Sequence, residues 1–135
     1  MAIDHVILPV RDYEAGKRFY EGALRPLGFV LVLDWPDGRR AWFGVEGRAS
    51  SLWLTESDAA GTLEICLGAE DQEAVDAFHA EALGVGGRSD WEPGIRPEFN
   101  RDYYAARIHD PDGNSIEVVC RGEVASRAVD RSVAA

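Results

Sequence analysis

Basic residues are scarce in this chain: 14 lysines and arginines stand against 24 acids, a formal net charge of −10. A surface so acidic is a poor match for nucleic acid or an anionic membrane. It favours neutral or cationic ligands, and it also serves solubility. No apolar run is long enough to cross a bilayer. The opening Met1-Ala-Ile-Asp-His5 lacks the basic region and apolar core of a signal peptide. Cysteines number two, Cys66 and Cys120, each inside an apparent strand. Such a pair makes neither a disulfide framework nor a CxxC site. A reducing, cytoplasmic location is therefore expected, with no nucleic-acid or membrane partner.

What the chain does have is a copy of itself. Its 135 residues, 46% apolar and 28% charged, fit one globular domain with a substantial core. Within it, the segment from Asp12 to Gly28 aligns with that from Asp71 to Gly87 at a constant offset of 59. Asp12/Asp71, Glu14/Glu73, Ala15/Ala74, Phe19/Phe78, Ala23/Ala82, Leu24/Leu83 and Gly28/Gly87 are identical pairs. At the same offset His5 falls on Glu64. Two repeated units must bury their apolar faces on one another, and a site at their seam follows.

Each unit reads as βαβββ. Ile3 to Val10 alternates and is rich in β-branched residues, as a strand requires. Asp12 is a fitting N-cap, Ala15, Phe19, Ala23 and Leu24 recur at helical spacing, and Gly28 supplies a left-handed stop. Strands then follow at 29–34, 41–45 and 51–55, with a turn at Pro36 to Arg39. The second unit opens with a strand at 63–69 and a helix near 71–83, closed by Gly86-Gly87. Residues 88–101, with two prolines and a glycine, read as a long loop around a poor strand. Strands at 103–109 and 114–120 flank Asp110-Pro-Asp-Gly-Asn114, a strong hairpin turn. The expected layout is one domain over 1–121, module one at about 2–56 and module two at about 62–121. Residues 122–135 read as a C-terminal tail.

Strand alternation assigns faces. Val6, Leu8 and Val10 share the side under the helix with Leu63, Ile65 and Leu67, and with Ile116, Val118 and Cys120. His5, Glu64, Glu117, Arg107 and Tyr103 then share the opposite, concave side. An ionised carboxylate on a half-buried strand is costly unless it is paired or holds a metal.

The paired βαβββ units, the opening Ile-Asp-His-Val, the helix carrying Phe-Tyr-Glu and the run Asp110-Pro-Asp-Gly-Asn-Ser-Ile-Glu117 resemble the vicinal oxygen chelate superfamily. That superfamily includes glyoxalases, bleomycin-binding proteins and extradiol dioxygenases. The resemblance covers about Ala2 to Arg121. It implies an α+β fold of two tandem modules forming a curved mixed β-sheet around a single cleft, and a homodimer. It makes His5 and Glu117 metal ligands, with Glu64 where a second histidine usually stands. The counterpart of Glu117 in the first module falls near Trp53, so a fourth protein ligand is absent.

A set of His5, Glu64 and Glu117 would suit one harder divalent ion, Mn, Ni, Zn, Mg or Fe. It would leave positions open for a small substrate that chelates through two oxygens. On this reading the chain is a metal-dependent lyase or isomerase. Glu117 and Tyr103 are its catalytic groups, and Arg107, Arg96, Trp42, Trp53 and Trp91 contact substrate. A dioxygenase fits less well, because redox iron is usually held by two histidines and one carboxylate. Two alternatives stay open. His5 and Glu64 can form an internal pair in a member that has lost its metal, and the same cleft can serve a non-catalytic protein that sequesters a drug or metabolite.

Overall fold

The computed structural model describes residues 3–48 and 51–121. The expected tail, 122–135, lies outside the described residues. Strand β1 (His5–Val10) leads into helix α1 (Tyr13–Leu24), whose N-cap Asp12 accepts a hydrogen bond from the Ala15 amide. A short 3-10 turn (Arg25–Leu27) ends at Gly28, with φ of 87°, the left-handed stop read from the sequence. Strands β2 (Phe29–Trp35), β3 (Arg40–Val45) and β4 (Ser51–Glu56) complete the first module. The second repeats it with β5 (Glu64–Gly68), α2 (Gln72–Gly84, capped by Asp71), β6 (Arg88–Ile95), β7 (Tyr104–His109) and β8 (Ser115–Cys120).

The two modules form two sheets rather than one continuous sheet. Their orders are β1-β4-β3-β2 and β5-β8-β7-β6, each with one parallel pair at the module's opening strand. The modules and the α+β class are as the sequence indicates; the curved sheet is divided between β1 and β5. Residues 88–95, expected to be mostly loop, form an eight-residue edge strand. Two register shifts, between Ser89 and Trp91 and between Trp91 and Gly94, let β6 carry Pro93 and Gly94 while paired to β7.

Both helices lie on the same side as the apolar strand faces. Leu8, Val10, Phe19, Tyr20, Phe43, Leu54, Val75, Phe78, Ile108, Ile116 and Val118 form one buried cluster that joins the modules. Each large side chain so buried contributes about 2 kcal/mol. Among the described residues no helix is long and apolar enough to cross a membrane.

The hairpin turn read from the sequence also joins the modules. Asp110 and Asn114 are buried, and the Tyr20 hydroxyl on α1 donates to Asp110 Oδ2 at 2.5 Å. Asn114 Oδ1 accepts from the amides of Gly61 and Leu63, and its Nδ2 donates to the Pro9 carbonyl at 3.0 Å. Arg11 of module one donates to the carbonyls of Asp112 and Ala60. Packing helices and sheets on one side leaves the other face of each sheet uncovered.

Candidate functional site

Ladder register arranges each uncovered face in transverse rows. In the second sheet Cys66 pairs with Glu117, Glu117 with Arg107, and Arg107 with Trp91. These four therefore run side by side across β5, β8, β7 and β6. In the first sheet Ile7, Trp53, Trp42 and Leu33 form the corresponding row across β1, β4, β3 and β2. One row is charged and polar, the other apolar and aromatic.

Trp42 and Trp53 stack, with ring centroids 5.3 Å apart and planes 5° from parallel. His5 lies next to them, its ring 6.3 Å from that of Trp53. Its Nδ1 meets Asp4 Oδ1 at 2.9 Å, so the His5 partner is the neighbouring aspartate and not Glu64.

In the second sheet Glu117 Oε2 accepts a hydrogen bond from the Tyr103 hydroxyl and another from Cys66 Sγ at 3.5 Å. Desolvation, reinforced by that bond to Glu117, raises the Tyr103 pKa well above the ordinary phenol range. Tyr103 is thus a protonated donor at neutral pH. Desolvation and then the Glu117 charge push the Cys66 thiol up to about 12. Cys66 and Ser115 join Glu64, Arg107 and Glu117 around a hollow of about 210 Å³. Glu64 is exposed there, with no hydrogen bond or ion pair among the described residues.

Arg107 is held rather than free. Its Nε donates to Asp90 Oδ2 at 2.7 Å, and its guanidinium carbon sits 3.9 Å from the centre of the Trp91 ring. Arg96, just after β6, approaches the same ring at 4.7 Å. Two arginines thus approach the Trp91 ring, a cation–π arrangement on a strand rather than on the expected loop. His109 faces Asp90 as well, at 3.4 Å.

The structure thus brings Glu64, Glu117, Arg107 and Tyr103 together, with Trp91 and Arg96 alongside. It gathers His5, Trp42 and Trp53 on the other sheet. Among the described residues no three histidine, cysteine or acidic side chains are placed to hold a metal ion. Within one chain His5 lies beside Trp53 on the first sheet, and Glu64 and Glu117 share the hollow on the second. Asp90, Cys66 and Ser115 were missed by sequence reasoning. Cys66 and Ser115 were within reach, since each shares the open-face parity of its strand; Asp90 was hidden by reading β6 as loop.

A family model for the Glyoxalase/Bleomycin resistance protein/Dioxygenase superfamily matches residues 2–118. The chain belongs to that superfamily. Among solved structures, a glyoxalase/bleomycin resistance protein from Albidiferax ferrireducens is 30% identical, with TM-score 0.74 over 89% of this chain and 98% of that one. An antibiotic binding protein from a Streptomyces species is 28% identical, with TM-score 0.68 over 90% and 97%. A lactoylglutathione lyase from Agrobacterium tumefaciens is 24% identical, with TM-score 0.65 over 88% and 92%, a likeness of fold alone. No curated protein matches the chain. Members of this superfamily bind small molecules or antibiotics, and several reactions share its scaffold.

Proposed function

We propose that this protein binds a flat organic molecule against the Trp42–Trp53 pair, in a cleft closed by a second copy of the chain. The stacked pair carries this reading: two large aromatic rings lie parallel on an open sheet face that the chain's own fold leaves uncovered. The Streptomyces relative, named as an antibiotic binding protein and 28% identical, supports it. The opposing charged row, with Glu117, Arg107 and Trp91, would meet the polar side of the ligand. Homodimerisation is part of this reading: the first-sheet face of one copy would cover the second-sheet face of the other. Two free cysteines suit a reducing, cytoplasmic setting.

A second reading is favoured by one observation: Glu64 is exposed and unpaired beside Glu117, two carboxylates on one hollow. In a dimer His5 of one copy could meet them, giving a divalent-metal-dependent lyase or isomerase, and such an ion would polarise a substrate carbonyl. Metal content of protein purified without chelator decides between the two. The binding reading expects no stoichiometric metal in the parent and tryptophan quenching by a planar aromatic probe. About one divalent ion per chain, lost in both Glu64→Ala and Glu117→Ala, would replace it with the metal-dependent enzyme.

A further inference from the structure

Among the described residues the Trp42 indole nitrogen, Nε1, is one of two buried side-chain donors without a hydrogen-bond partner. An indole N–H removed from water normally finds an acceptor. The neighbouring position explains what sort of acceptor is missing. Gly44 lies two residues along β3, on the same face, paired with Val30 on one side and Ser51 on the other. A Cβ at Gly44 would stand 3.8 Å from Trp42 Nε1 and 3.4 Å from Val32 Cγ2. Glycine in the middle of a strand weakens it, and it commonly marks a place where another group comes close. Here the absent side chain leaves a hollow of about 140 Å³, walled by Val30, Val32, Trp42, Gly44, Arg48 and Ser51. It has room for an oxygenated substituent beside the aromatic pair.

We propose that the hollow above Gly44 is a subsite for an acceptor oxygen of the ligand, a ketone or a carboxylate, received by the N–H of Trp42. The two exposed valines give the hollow an apolar edge, Ser51 adds a hydroxyl, and Arg48 adds a cation at the rim. Glu46 also borders the hollow and offsets Arg48, so both a neutral carbonyl and a carboxylate match it. A ligand lying on the Trp42–Trp53 pair would place such a substituent over Gly44 while its ring stays on the aromatic platform. This assignment rests on the ligand-binding reading above and adds the class of functional group the ligand carries.

The test uses the full chain and three naphthalene probes: 2-naphthoate, 2-acetylnaphthalene and 2-ethylnaphthalene. Binding is read by tryptophan quenching, and the Trp42 indole N–H by its ¹H–¹⁵N cross-peak, assigned with Trp42→Phe. The two oxygenated probes are expected to move that cross-peak downfield, the ethyl compound not. A shift with naphthoate alone assigns a carboxylate, and a shift with both assigns any acceptor oxygen. Gly44→Ala sets a methyl carbon 3.8 Å from Trp42 Nε1 and should weaken the oxygenated probes by about tenfold while leaving 2-ethylnaphthalene unaffected. Trp42→Phe, which keeps the fold's apolar ring, should weaken them similarly and guards against a folding defect in the alanine variant. Quenching by all three with an unmoved cross-peak would overturn the subsite and leave the ligand reading standing. Absence of quenching by any of them would remove both.

Discussion

Trp53 stands in the first module where Glu117 stands in the second. Trp53 pairs with Ile7 on β1, Glu117 pairs with Cys66 on β5, and Ile7 and Cys66 are related by the repeat. The duplicated scaffold has thus kept its backbone register while one face became aromatic and the other ionic. Trp53→Ala is expected to weaken a planar aromatic probe by about thirtyfold, near 2 kcal/mol. Titration calorimetry checks it, and a change under threefold would show that the platform does not hold the ligand.

Cys66 reports the Glu117 environment. Its thiol is pushed from 9.0 to about 12, first by desolvation and then by the Glu117 charge and hydrogen bond. In a Cys120→Ser background, iodoacetamide should react slowly near pH 8 and accelerate only toward pH 12. Glu117→Gln removes the charge but not the desolvation, so the profile should move down in pH without reaching that of a free cysteine. The raised value also makes the folded state hold a proton that the unfolded chain releases. That contribution is complete below pH 9 and is lost as pH rises toward 12. An ordinary thiol profile in the parent would contradict the Glu117–Cys66 contact.

Asn114 serves four partners from inside the protein. Asn114→Ala would strand the amides of Gly61 and Leu63 and the Pro9 carbonyl, and would leave Asp110 without its 2.9 Å donor. A loss of about 3 kcal/mol in urea unfolding is expected. A loss under about 1 kcal/mol would show that water replaces these bonds.

Two helix glycines should respond with opposite signs to alanine. A Cβ on Gly16 would meet Val10 side-chain carbons at 3.0 Å, because α1 sits close on β1 there. Gly16→Ala is expected to destabilise by about 1–3 kcal/mol. Gly84, at the end of α2, has nothing within 4 Å of that position. Its alanine variant should gain up to about 1 kcal/mol from helix propensity. Thermal melts of the two, side by side, settle the pair.

Whether the cleft is shared between copies is tested by mixing. Trp53→Ala and Arg107→Ala each damage one wall. If the walls come from different chains, co-refolding the two variants creates dimers with one intact cleft, and probe binding returns. If both walls belong to one chain, the mixture stays as weak as its parts.

Much of this arrangement was legible in the sequence, because the repeat and strand parity are local signals. Asp12, Asp71 and Gly28 marked helix ends by their own chemistry, and the parity of His5, Glu64 and Glu117 put them on the open faces correctly. Whether those faces meet was not legible, since that depends on how whole modules pack. Strand β6 was hidden by Pro93 and Gly94, whose disruption is absorbed by register shifts that only the β7 partner makes possible. The His5–Asp4 and Arg107–Asp90 pairs escaped for a related reason: side-chain choice among several nearby carboxylates is a three-dimensional competition.

The turn from Asp110 to Asn114 has a thermodynamic consequence. Hydrogen bonds tie Pro9, Arg11 and Tyr20 to it, and it in turn to Gly61 and Leu63, the Tyr20–Asp110 bond being buried, and the apolar cluster runs through both helices. Neither half can lose its structure without exposing polar groups in the other. Although the chain contains two sheets and a tandem repeat, calorimetry should find one heat-absorption peak, with equal van't Hoff and calorimetric enthalpies.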